Sequence, residues 1–171
     1  PGRRALKTYL SLYLFDVLAK AGHAESLPEA EIRFLQNILS SPQGVDNLLR
    51  TQTLGDHVGR SLQLERVMRW HPTIVCTHAQ LTQRVDPATG TQETGLFKVR
   101  GACVEAVMGA IYHYRDVHAL AHTQGAQVAQ QFFLSRILPN LSSLVESCPK
   151  SLQEAITKTS NEATEALHHS P

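Results

Sequence analysis

Apolar residues recur at three- and four-residue intervals through most of this 171-residue chain, and nowhere do Val and Ile alternate with polar residues over a strand's length. The Asn-Gly and Asp-Gly pairs that close tight hairpins are absent as well. The pattern predicts an all-α fold. Ala5 to Ala21 carries Leu6, Leu10, Tyr13, Val17 and Leu18 at helical spacing, is apolar on more than one face and stops at Gly22, which reads as a well-buried helix. Pro28 marks a second start, because the N–H it lacks would be unbonded in a first turn anyway. Glu29 and Glu31 follow it at the positive end of the helix dipole. Ile32, Leu35, Ile38 and Leu39 are the expected buried stripe, closed by Ser40 to Gly44. From Val45 the spacing through Leu48, Leu49, Val58 and Leu62 predicts a helix over about 45–70, with Gly55 and Gly59 in its middle. An interior glycine costs about 1 kcal/mol relative to Ala, so such a residue marks close packing or a special site.

Between His71 and Arg100 the helical signal weakens. Pro72, Asp86-Pro87 and the Thr/Gly-rich stretch 88–95 read as a short helix followed by a flexible loop. Helix resumes at about Gly101 and is expected over 101–114, with Val104, Val107, Met108 and Ile111 as its stripe. A further long pattern covers 119–138 up to Pro139. Together these make one domain over 1–148. Residues 149–171 read as a polar C-terminal tail that can hold one amphipathic helix through Leu152, Ile156 and Ala163.

A hydrophobic fraction of 42% and a net charge of +1 argue against disorder, which needs low hydrophobicity and high charge. The uncharged run Thr8 to Phe15 is far short of the roughly 20 apolar residues that span a bilayer, so no membrane contact is expected. With 16 basic and 15 acidic residues the chain does not advertise the clustered basic face of an autonomous RNA binder. Cys76, Cys103 and Cys148 are widely separated and form no CxxC pair, which supports neither a disulfide framework nor a zinc ribbon. His118 and His122 can share a helix face. Without a third ligand they read as solvated residues, and no metal or cofactor is implied.

Two segments pair small residues with carboxylates at helical spacing, Leu48 to Leu62 (LLRTQTLGDHVGRSL) and Gly101 to Tyr112 (GACVEAVMGAIY). Both resemble ribonuclease III. The first is similar to that family's signature helix, with Thr51, Gln52, Thr53, Leu54, Gly55 and Asp56 where the family has Leu-Glu-Phe-Leu-Gly-Asp. The second resembles the partner helix, Ala-Asp-x-x-Glu-Ala-Leu-Ile-Gly-Ala-Ile-Tyr. Gly125 to Leu138 is similar to the family's closing helix, while the first 45 residues match only in being helical. The resemblance implies that the two motif helices, about 45–70 and 101–114, pack side by side.

In that family, carboxylates on neighbouring helices hold Mg²⁺ ions that activate water and stabilise charge on phosphate. Positions 52 and 56 are i,i+4 and positions 102 and 105 are i,i+3, so each pair can face one point between packed helices. Carried over, the four carboxylate positions fall on Gln52, Asp56, Ala102 and Glu105, and a further upstream acid falls on Leu49. Gln52 can still offer an amide oxygen, but Ala102 offers nothing. The resemblance therefore implies a pseudonuclease, with no catalytic or metal-binding residues and with Asp56 and Glu105 kept for local hydrogen bonding or packing. Thr53 stands where the family has a Phe that plugs into the opposite subunit, so the dimer contact is expected to be altered. The interval from Asp56 to Ala102 is shorter than the family's, and Cys148 to Lys158 resembles only the opening helix of the double-stranded-RNA-binding module of active members.

The expected function is that of a catalytically inactive ribonuclease III-like subunit, a structural component of the mitochondrial ribosomal large subunit in the matrix. There it would contact ribosomal RNA and neighbouring ribosomal proteins and form a heterodimer with a second ribonuclease III-like protein. No small-molecule substrate is expected. Three alternatives stay open: a subunit of a mitochondrial RNA-editing or RNA-processing complex, a double-strand-specific endoribonuclease completed in trans, and an unrelated helical interaction module.

Overall fold

The structure, a computed structural model, describes residues 1–23, 28–68, 84–85, 92–93, 96–113 and 124–169. Eight α-helices occur among them: α1 (Gly2–His23), α2 (Glu29–Ser40), α3 (Gly44–Leu48), α4 (Thr51–Thr53), α5 (Leu96–His113), α6 (Gln124–Phe132), α7 (Ser142–Val145) and α8 (Lys150–His169). The predominantly helical character read from the periodicity holds. Its one exception among the described residues is a two-residue antiparallel pairing, β1 (Arg84–Val85) against β2 (Gln92–Glu93), with Arg84 opposite Glu93 and Val85 opposite Gln92. Two residues of the expected loop over 88–95 are thus paired, and the rest lie outside the described residues, as do Cys76, His118 and His122.

The core is built where the aliphatic stripes of α1, α5, α6 and α8 meet. Leu6, Leu10 and Leu14 of α1, Val104 and Met108 of α5, and Phe133 and Ile137 are fully buried together. At roughly 1.5–3 kcal/mol for each such side chain, this burial is the main favourable contribution to the fold. α5 lies at the centre, against α1, α4 and α6. α1 is not buried all round as its composition suggests: Leu12 and Phe15 are more than half exposed.

The first motif helix is not continuous over 45–70. Leu48 and Leu49 are both buried, although successive residues on a helix point about 100° apart. α3 ends at Leu48, Leu49 leaves helical geometry as its cap (φ −99°, ψ 29°) and Arg50 is extended (φ −57°, ψ 145°), so the two leucines are not buried along one continuous helix. After α4 the backbone widens into a π-helical turn (Leu54–Gly59). The helical run then ends at Gln63, whose φ of 51° is the one positive value among the described non-glycine residues, and a 3₁₀ turn follows (Leu64–Arg66). The second motif helix starts five residues earlier than expected, because Phe97 and Arg100 already lie against the π turn.

At the C-terminal end, α6 passes into a second π turn (Phe133–Ile137) and a 3₁₀ turn at Pro139 (Leu138–Asn140). The segment read as a polar tail is a 20-residue helix, α8, that contributes Leu152 and Ile156 to the same core. Its amphipathic stripe is visible in the sequence. That the stripe docks on the domain, rather than standing apart from it, is a tertiary fact.

Candidate functional site

The two motif helices pack side by side through their small residues. A Cβ added at Gly55 would overlap the Phe97 carbonyl oxygen, one at Gly59 would lie 2.8 Å from Arg100 Cβ, and one at Gly101 would lie 2.7 Å from the Thr51 carbonyl oxygen. At Gly55 and Gly101 the opposing atom is backbone and at Gly59 it is the Arg100 Cβ, and such close approaches favour glycine, which explains why the chain tolerates it inside helices. Thr51, Gly55 and Gly59 thus form one face, and Phe97, Arg100 and Gly101 the face that meets it.

The positions that the resemblance singles out, 52, 56, 102 and 105, stand next to or one turn from that contact. Gln52 and Asp56 succeed Thr51 and Gly55, and Ala102 and Glu105 stand one and four residues after Gly101, so both pairs lie on the rim of the glycine contact. Gln52 and Ala102 are exposed, while Asp56 and Glu105 are half-buried. Thr53 is buried within the chain, at 8% exposure, and does not project from the surface as an interlocking side chain would. Among the described residues no three His, Cys, Asp or Glu side chains gather as a metal ion would need.

Cations reach into this rim from residues outside the two motifs. Arg3, on the first turn of α1, donates to Glu105 Oε1 at 3.0 Å and to the Leu49 carbonyl. Its guanidinium also stands 3.7 Å from Asp46 Oδ1, which Lys7 contacts at 2.6 Å. Lys7, hydrogen-bonded to Asp46, holds that carboxyl below the usual carboxylate range, and Arg3 adds to the effect. On the other side Arg100, only 5% exposed, places Nε 3.3 Å from Glu65 Oε2 and so ties α5 to the 3₁₀ turn after the π helix. The rim is therefore electrostatically mixed. Gly2 makes Arg3's approach possible, since a Cβ there would overlap the Glu105 carbonyl oxygen.

Two further polar groups are buried, Glu31, which the periodicity did not mark, and Tyr13, which lies on the stripe expected for α1. Glu31, an acid in the first turn of α2, is 4% exposed, whereas Ile32 beside it, on the expected buried stripe, is only half-buried. Its Oε1 accepts from the Ser151 hydroxyl at the start of α8, and Oε2 has no hydrogen-bond partner among the described residues. Burial, reinforced by Glu154, pushes its carboxyl above the usual range. Tyr13 on α1 is also buried, and its phenol is pushed up to about 12 by burial, with Thr159 pulling it slightly the other way. Tyr13 lines a cleft of about 650 Å³ between α1, the second π turn and α8, which contains none of positions 52, 56, 102 and 105.

No helix among the described residues is long and apolar enough to cross a membrane. No protein-family model, no curated protein and no solved structure matches the chain.

Proposed function

We propose that this chain is a catalytically inactive, ribonuclease III-like subunit that serves as a structural component of the mitochondrial ribosomal large subunit in the matrix. There it contacts ribosomal RNA and neighbouring proteins and pairs with a second ribonuclease III-like protein. The observation that carries the reading is the rim of the glycine contact: the two motif helices lie side by side, yet two of the four carboxylate positions hold Gln52 and Ala102, and Glu105 is bonded to a guanidinium. Mg²⁺ sheds its water reluctantly and relies on carboxylates together with substrate phosphates. Asp56 with an already neutralised Glu105 is too little charge to align two ions for in-line hydrolysis. The exposed Leu12 and Phe15 on α1 suit a body that is held among neighbours.

Two measurements test this. Affinity capture from mitochondrial extract followed by mass spectrometry is expected to return large-subunit ribosomal proteins and a second ribonuclease III-like chain. Recovery of an editing or processing complex, or of no RNA-associated partner, overturns the ribosomal assignment. Purified with its partner and given duplex RNA and Mg²⁺, the chain is expected to leave the RNA uncut. Cleavage that disappears on Glu105→Ala would show a site completed in trans and overturn the pseudonuclease assignment.

A further inference from the structure

Three oxygens from two parts of the chain converge on the Arg3 guanidinium: Glu105 Oε1 of α5 at 3.0 Å, and, from α3 and its cap, Asp46 Oδ1 at 3.7 Å and the Leu49 carbonyl. Two carboxylate oxygens and a backbone carbonyl are a donor set that a hard divalent cation takes. The space in front of them is held instead by a planar group that is charged at every physiological pH and presents five N–H donors.

We propose that Arg3 is the built-in cation of this site. It neutralises Glu105, clamps the corner between α3 and α4 onto α5, and so makes that corner independent of any metal ion. The inference stands on this convergence of oxygens and holds whether or not the ribonuclease III reading does.

An exposed ion pair would not support such a role, since surface pairs contribute little. Arg3 differs in three respects. Its side chain and that of Glu105 are each about two-thirds buried, with 32% and 31% left exposed. The guanidinium bonds a backbone carbonyl as well as a carboxylate, which fixes its orientation. And the partners are far apart in the chain, 46 residues to Leu49 and 102 to Glu105, so the contacts join elements rather than decorate one helix. Gly2 completes the device, because only a residue without Cβ lets the first turn of α1 lie against the Glu105 backbone. A divalent ion entering here would have to displace the guanidinium or bind beside it against like charge.

The test compares the chain with Arg3→Gln, Arg3→Lys, Glu105→Gln and the double variant Arg3→Gln/Glu105→Gln. Melting is followed in chelator and in millimolar Mg²⁺ or Mn²⁺, and Mn²⁺ binding by electron paramagnetic resonance. The chain itself is expected to melt at one temperature in all solutions and to bind no Mn²⁺ through Glu105. Arg3→Gln should melt roughly 4 °C lower in chelator. It should recover part of that loss with Mn²⁺, and the double variant should not recover. Arg3→Lys should keep most of the metal-free stability. Mn²⁺ binding by the chain that is lost in Glu105→Gln, or an Arg3→Gln variant that melts like the parent and ignores metal, overturns the proposal. Should Arg3→Gln fail to fold, Glu105→Gln decides alone: a lowered midpoint without metal response supports the clamp, and an unchanged midpoint overturns it.

Discussion

Replacing Gly55 by Ala adds one methyl group where the π turn meets α5. The new Cβ would overlap the Phe97 carbonyl oxygen and lie 2.6 Å from its carbonyl carbon and 2.9 Å from its Cα, against 3.4–4 Å for ordinary contact. These are backbone atoms of a helix, so no rotamer change relieves the clash. α5 must retreat by about 1 Å, a gap that forfeits a quarter to a half of the dispersion energy of the atoms it separates. Overpacking of this kind costs about 3 kcal/mol at the upper end of its usual range. The gain of Ala over Gly in a helix returns about 1 kcal/mol. Gly55→Ala is therefore expected to destabilise the chain by about 2 kcal/mol and lower its melting midpoint by roughly 4–8 °C. Gly109 is the control, because a Cβ there meets Gly2 N at 3.2 Å and Gly2 Cα at 3.4 Å, and the first turn of α1 can yield by a few tenths of an ångström. Gly109→Ala should be neutral or stabilising by up to about 1 kcal/mol. Urea unfolding followed by circular dichroism gives both values. A Gly55→Ala variant as stable as Gly109→Ala would refute the packing of the motif helices through their glycine faces.

Glu31→Gln tests the buried acid between α2 and α8. A carboxyl whose value is raised in the folded state holds its proton there longer than in the unfolded chain, so it favours folding below about pH 4.5, and this contribution is lost as pH rises through the folded value. The substitution should raise the melting midpoint at neutral pH and leave it unchanged in acid. A parallel offset at every pH would refute the assignment. Tyr13→Phe removes a buried hydroxyl that meets no well-aligned acceptor among the described residues, and it should stabilise the chain by about 1 kcal/mol. Spectrophotometric titration should also lose a tyrosine that ionises at about 12. A loss of stability in Tyr13→Phe would show that the hydroxyl is bonded.

Helix content, the stops near Gly22 and Pro139 and the amphipathic stripe of α8 were all legible in the sequence, because each depends on residues three or four positions apart. The two glycine-bearing motifs were legible for the same reason. A glycine that costs about 1 kcal/mol inside a helix announces close packing before the partner is known. What the sequence could not carry is contact between residues distant along the chain. Arg3 belongs to no motif, and its meaning appears only when the fold brings Leu49 and Glu105 to it. Glu31 reads as an ordinary first-turn acid until α8 covers it. The break at Leu49 and Arg50, next to two consecutive buried leucines, likewise answers the core rather than local propensity. Local periodicity determined that the chain folds into helices. Only the tertiary structure decided which cation sits beside which acid, because electrostatics and close packing act across space and leave no period in the sequence.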